Sequence, residues 1–353
     1  MAITVTEFGR TKAGEVVKQY EMVNANGMKA VLLNYGAVLR ELYVPARDGS
    51  MLDVVWGYED VEHYEVNKPN FGATLGRNAN RVAKGQVEIG GVTYQMERND
   101  GENNLHGGKP GYHQRIWKGI VADDNKVEFS MVSPDEDQGL PGNAQVRVSY
   151  KLTNENQLEI SYQATADADT IFNMTNHTYF NLEGQASESV LEHQVQIDAE
   201  FFTPTGADLI PTGEFRSVEG TPMDFRQWRT LGKDIHGDYE PLQQAKGYDH
   251  NFVLTEKEGD RLAARIRAEK SGILMEVYTD QPGLQLYTSN ALVEEAGGKG
   301  GRVYSLYSAA CFETQHFPDA LHHENFPSTL VKAGEEYRTR TTYQFSLMEQ
   351  ADL

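Results

Sequence analysis

Apolar and polar residues alternate along much of the chain with a period of two, not 3.6. Val146, Val148, Tyr150 and Leu152 alternate with polar residues, Asn154, Glu155 and Asn156 turn the chain, and Leu158, Ile160 and Tyr162 alternate again. Successive strand side chains point to opposite faces, so this pattern predicts a β-hairpin. Val87 and Ile89, the pair Gly90 and Gly91, then Val92, Tyr94 and Met96 predict a second. Leu262 and Ile266, a turn at Lys270, Ser271 and Gly272, then Ile273, Met275 and Val277 predict a third. Near the C-terminus Tyr337, Thr339, Thr341, Tyr343, Phe345 and Leu347 share one face of a long strand. Helical patterning is scarce, and only residues 58–64 and 228–235 are expected to form short helices. No fixed-period repeat and no Pro/Ser-rich linker divides the sequence. The expectation is all-β: a large antiparallel β-sandwich or a barrel, with a few short helices, forming one domain over residues 1–353.

Charge removes whole classes of partner. The 353 residues carry 32 Lys and Arg against 52 Asp and Glu, a net charge of −20. A polyanion needs a basic face, so no nucleic acid is expected as a partner. An anionic membrane surface is disfavoured for the same reason, and no apolar run is long enough to span a bilayer. There is one cysteine, Cys311, so no intrachain disulfide can form. The first residues show no basic stretch followed by an apolar one. A cytoplasmic location is the expectation.

Several familiar motifs are missing, among them GxGxxG after a strand, GxSxG and HExxH. Residues 297–301 (GGKGG) lack the spacing of a phosphate loop and are expected to form a surface loop. His322 and His323 are adjacent and would face opposite ways on a strand, so no metal is expected there. Asn173 and Asn176 head formal glycosylation sequons, read as coincidences.

The informative places are those where polar residues interrupt the strand pattern. Over residues 173–182 (NMTNHTYFNL), His177, Tyr179 and Asn181 would share one strand face. Such a strip suits a polyhydroxylated ligand, and it equally suits a solvated face. Glu313 and Gln315 enter an otherwise apolar strand. A carboxylate there is costly to bury unless it is paired or working, and partial burial would raise its pKa toward that of a general base. Cys311 could face the same cleft or be a small buried thiol. Arg77 and Arg81 flank asparagines in a Gly-rich run, as oxygen-binding donors or as a surface pair. Residues 104–108 (NLHGG), 247–251 (GYDHN) and 284–287 (LQLY) add further polar groups. Together these segments supply His, Glu, Arg, Asp and Gln with no nucleotide loop, an inventory that fits acid/base chemistry on an uncharged, hydroxyl-rich substrate.

The segments 76–82 (GRNANRV), 104–108 (NLHGG), 139–142 (GLPG), 175–182 (TNHTYFNL), 247–252 (GYDHNF) and 313–319 (ETQHFPD) occur in an order and spacing that resemble the aldose 1-epimerases, the galactose mutarotase group. The resemblance extends from residues 34–37 to 343–345. Asn78, residues 112–114 and Leu140 depart from the commoner family pattern and bear on the sugar subsites. The resemblance implies a large β-sandwich with an open sugar cleft, no cofactor and no metal. It implies Glu313 as general base and His177 as general acid, with Asn80, Arg81, His106, Tyr179, Asp249 and Gln285 binding the sugar. It implies interconversion of the α and β anomers of free hexoses such as glucose and galactose by ring opening and closure, with Glu313 starting as carboxylate and His177 as imidazolium. The expected partner is a small-molecule aldose, and the chain is expected as a monomer or homodimer. Two other readings stay open. One is a non-catalytic sugar sensor on the same scaffold, which would need neither Glu313 nor His177. The other is an epimerase of phosphorylated sugars, for which Lys109, His113 and Arg115 could form a cationic cluster.

Overall fold

The computed structural model describes residues 2–349. Three antiparallel sheets dominate. A five-stranded meander runs Ala2–Arg10, Val16–Val23, Lys29–Leu33, Val38–Pro45 and Met51–Asp53. A nine-stranded sheet has in its middle the hairpin Ala144–Leu152 and Gln157–Ala166, beside the long strand Glu336–Leu347 and the strand Ile273–Thr279. A six-stranded sheet runs in the order Tyr179–Phe180, Ala310–Gln315, Gly283–Tyr287, Asp249–Leu254, Ala199–Thr203 and Arg216–Ser217. The three hairpins and the long C-terminal strand fall where the period-two pattern places them.

The nine- and six-stranded sheets pack face to face, as in a sandwich. Phe180 and Tyr343 have ring centroids 5.0 Å apart, and the Tyr343 hydroxyl donates to the Phe312 carbonyl at 3.2 Å. Phe202, Phe252, Leu284, Leu286, Ala310 and Phe312 from the six-stranded sheet join one continuous apolar core with residues of the other two sheets. By alternation, the opposite face of the six-stranded sheet carries Asp249, Asn251, Gln285, Tyr287, Cys311, Glu313 and Gln315. On this face Glu313 is only 2% exposed, while Asp249 and Tyr287 are half-buried.

Some expectations are corrected. A helix forms at Val61–Val66, where the Asp60 carboxylate accepts from the backbone N–H of His63 at 3.0 Å. Residues 228–235 form no α-helix. Arg229–Thr230 pairs as a short strand with residues 194–195, and a single tight turn follows at Leu231–Lys233. Gly232 is poor in a helix, and sheet pairing takes the backbone groups a helix would use. The second α-helix is Glu240–Ala245, opened by Pro241 in its first turn. Residues 173–182 are not one strand but two short ones, Thr175–Asn176 and Tyr179–Phe180, which pair with different neighbours. All of 173–182 is buried, so the solvated-face reading fails, and so does the single polar strip: the Asn181 amide turns away to the Ser189 and Ser308 carbonyls. Asn173 and Asn176 are inaccessible to modification.

Residues 297–301 are not a free loop. They close a hairpin, Glu294–Gly298 with Arg302–Ser305. Its Lys299 ammonium is buried against the Asp53 carboxylate and donates to the Arg40 and Val55 carbonyls at 2.8 Å each. Nor does the His322 and His323 pair lie on a strand. Both rings reach the Asp319 carboxylate, and among the described residues no cluster of His, Cys, Asp and Glu is placed to hold a metal.

Candidate active site

The register of the six-stranded sheet builds the floor of a cleft of about 540 Å³. Tyr179, Cys311, Tyr287 and Asp249 lie side by side across four strands. One step along, Glu313 pairs with Gln285, and Gln285 with Asn251. Cross-strand neighbours of this kind sit within about 5.5 Å of one another, so residues far apart in sequence become one polar surface.

Glu313 and His177 meet on this floor, with His177 Nε2 3.7 Å from Glu313 Oε1. The other carboxyl oxygen, Oε2, is buried with no hydrogen-bond partner. A buried polar atom left unpaired is costly, and a ligand hydroxyl would remove that cost. Burial, with the Asp249 charge second, pushes the Glu313 carboxyl well above the usual carboxylate range. Burial likewise pushes the His177 imidazole down to about 4. A dry site disfavours both charged forms. Both shifts therefore favour a neutral pair, with the proton on Glu313. The expected starting state, carboxylate plus imidazolium, carries the same number of protons distributed the other way.

The imidazole ends a series of near-parallel rings. His177 stacks on Tyr179 at 5.0 Å, Tyr179 on Trp56 at 5.3 Å, and Trp56 on Tyr304 at 4.4 Å. The Tyr179 hydroxyl donates to the Pro69 carbonyl at 3.0 Å, which ties the stack to the rim.

Asn80 and His106 hold each other. The Asn80 N–H donates to His106 Nδ1 at 3.0 Å, and the His106 N–H donates to the Asn80 carbonyl at 3.0 Å. Both sit at positive φ, 61° and 60°, a conformation in which Asn and His are enriched among non-glycine residues. Because Nδ1 accepts, the proton of neutral His106 is on Nε2, available to donate to a ligand oxygen. Burial holds the His106 pKa well below its ordinary value. Arg81 bridges two carboxylates, with Nε 2.9 Å from Asp100 and a terminal nitrogen 3.6 Å from Asp249.

Of the residues singled out in the sequence, Asn80, Arg81, His106, His177, Tyr179, Asp249 and Glu313 all line the cleft. Gln285 does not. It lies behind Asp249 and donates to its carboxylate at 2.7 Å. Arg77 is not a surface residue either. It is fully buried and donates to the Pro141 carbonyl at 2.7 Å and to the Ser133 hydroxyl at 2.8 Å, which anchors the 139–142 turn. Lys109, His113 and Arg115 do not line the cleft, and Arg115 pairs with Asp137 at 2.7 Å. Sequence reasoning missed Lys68, Pro69, Asn70, Leu209, Ala245 and residues 290–295, which also line the cleft. The run 67–70 (NKPN) is a turn signal that could have marked one of these loops, while residues 290–295 carry no comparable mark.

The model of the aldose 1-epimerase family matches residues 18–344. The galactose mutarotase of Bos taurus is 40% identical over 347 residues, covering 98% of this chain and 99% of that one. The aldose 1-epimerase of Escherichia coli (strain K12) is 35% identical over 338 residues, covering 94% and 96%. Among solved structures, an aldose epimerase homologue from C. elegans superposes with a TM-score of 0.86 at 32% identity, covering 93% of this chain and 98% of that one. The galactose 1-epimerase from Lactobacillus acidophilus NCFM gives a TM-score of 0.87 at 27% identity, covering 99% and 100%.

Proposed function

The chain belongs to the aldose 1-epimerase family, a family of isomerases acting on free sugars, and from that premise we propose that it interconverts the α and β anomers of hexoses such as galactose and glucose, with Glu313 and His177 moving the protons. Glu313 takes the proton of the C1 hydroxyl while His177 gives one to the ring oxygen. The C1–O5 bond breaks, leaving an aldehyde. Rotation about C1–C2 presents the other carbonyl face, and the ring recloses as His177 takes back its proton and Glu313 returns the other to O1. Each half-reaction moves the pair between carboxylate–imidazolium and neutral–neutral, and one proton stays on the pair throughout. The neutral form favoured by burial matches the ring-open stage. Hydrogen bonds from O1–H and O5 would favour the charged form when the sugar enters. The observation that carries this reading is the facing pair, 3.7 Å apart, with Glu313 Oε2 unpartnered at the floor of the cleft.

Asp249, braced by Gln285 and Arg81, would accept from hydroxyls away from C1, and His106 would donate from Nε2. Tyr179 and Asn80 would complete the sugar contacts. Arg81, whose charge is met by Asp100 and Asp249, is a poor phosphate ligand, and Glu294 and Glu295 add negative charge to the cleft lining. These groups favour a neutral sugar over a phosphorylated one. The presence of both Glu313 and His177 favours an enzyme over a sensor. A cytoplasmic location belongs to the proposal, supported by the single, buried cysteine. The test is polarimetry of freshly dissolved α-D-galactose. The wild type speeds the relaxation, and Glu313→Gln and His177→Asn each lose on the order of 10²–10⁴-fold in kcat. Full activity in either variant would contradict the assigned roles.

A further inference from the structure

We propose that Cys311 is a positioning residue for the reaction: its thiol holds Nδ1 of His177 while Nε2 works against Glu313 and the sugar. The strand Ala310–Gln315 places Cys311 and Glu313 two residues apart on one face. They bracket the imidazole. Glu313 Oε1 is 3.7 Å from Nε2, and Cys311 Sγ is 3.6 Å from Nδ1, within the longer reach of a sulfur hydrogen bond. Among the described residues Cys311 is the one side chain at hydrogen-bond distance of Nδ1, beside a backbone hydrogen bond of the ring at His177 itself. Cys311 is fully buried, and its own place is fixed by pairing with Tyr179 on one side and Tyr287 on the other.

The chemistry asks one thing of the Nδ1 partner. In the imidazolium, and again after Nε2 has given its proton to the ring oxygen, Nδ1 keeps its own proton and needs an acceptor in a dry site. The thiol sulfur is a weak acceptor that can take it. Burial, followed by the charges of Glu313 and Asp249, pushes the thiol up, so it stays S–H. A carboxylate in this place would lock one tautomer and make the imidazole more basic. A weak sulfur partner steers the ring yet leaves the imidazolium a good acid. The other titratable or charged groups acting on the ring are Glu313, Asp249, Tyr179, Tyr287, His106 and His113.

The inference rests on His177 acting in the reaction, so the experiment includes both residues. Polarimetric kcat, KM and pH profiles are measured with α-D-galactose for the wild type, Cys311→Ala, Cys311→Ser and His177→Asn. Cys311→Ala is expected to lower kcat about tenfold while KM stays within about twofold. Cys311→Ser, whose oxygen is the better acceptor for Nδ1–H, is expected to restore most of kcat and move the acid limb to higher pH. Wild-type kcat in Cys311→Ala, an unmoved acid limb in Cys311→Ser, or parallel losses of kcat, KM and melting temperature that serine does not repair would overturn the positioning role. Loss of rate in His177→Asn beside normal Cys311 variants would sink this inference alone. Full rate in His177→Asn would instead sink the reading beneath it.

Discussion

At the scale of residues, the two groups proposed to move the protons are driven in opposite directions by one cause. Burial raises Glu313 and lowers His177, and in the proposed mechanism the active form is the one holding a single proton between them. Below about pH 4 the pair gains a second proton, and above the raised Glu313 pKa it loses its last. The pH profile of kcat/KM is therefore expected to show an acid limb near 4, not at the usual histidine value of 6.5, and an alkaline limb above the usual carboxylate range. An acid limb at 6.5 would mean that the site is wetter than its geometry. Gln285 gives a second residue-scale test. It braces Asp249 without lining the cleft, so Gln285→Leu should raise KM by roughly tenfold with a smaller effect on kcat. A kcat loss as large as that of Glu313→Gln would place Gln285 in the proton chemistry instead. Glu313 was legible in the sequence because a carboxylate in a greasy strand needs a reason. Gln285 was legible as a polar strand residue, but only the cross-strand register reveals that it serves Asp249.

At the scale of elements, the six-stranded sheet has one face for the core and one for the site. Alternation made that division legible from Cys311, Glu313 and Gln315, and it made the long hairpins legible too. The break in 173–182 was not legible. Its residues are all buried, so no polar face marks where one short strand stops and the next begins. The helix at Glu240–Ala245 is only six residues long, too short for a periodic signal. The loops behind the cleft depend on buried cations. Arg77 satisfies oxygens of Pro141, Ser133, Thr170 and Gly142. Arg77→Met would leave several unpaired and is expected to cost on the order of 3 kcal/mol or more in urea unfolding. A loss below about 1 kcal/mol would mean that water replaces the guanidinium.

At the scale of the whole molecule, acid stability follows from burial of histidine. His106, His113, His177, His193, His250 and His316 all have pKa values lowered chiefly by burial. The unfolded chain binds protons at these groups from about pH 6.5 downward, whereas the folded chain resists until about 4 or lower. Stability is thus complete above 6.5 and falls as pH drops through that window, by up to about 1.4 kcal/mol per pH unit for each histidine. Glu313, whose pKa is raised, and His322, raised by its hydrogen bond to Asp319, act in the opposite sense. Urea midpoints at pH 7, 6 and 5 should decline steadily, and a flat series would contradict the buried neutral histidines. The charge of −20 was legible from composition and argues against polyanions as partners, yet it says little of a cleft proposed to take a neutral ligand. The central claim is that Glu313 and His177 pass protons to and from the anomeric centre of a free hexose. Its most direct test is the rate at which the optical rotation of fresh α-D-galactose relaxes, with wild type and with Glu313→Gln. Acceleration by the wild type and its loss by at least about 100-fold in the variant are expected. Equal acceleration by both would contradict the claim.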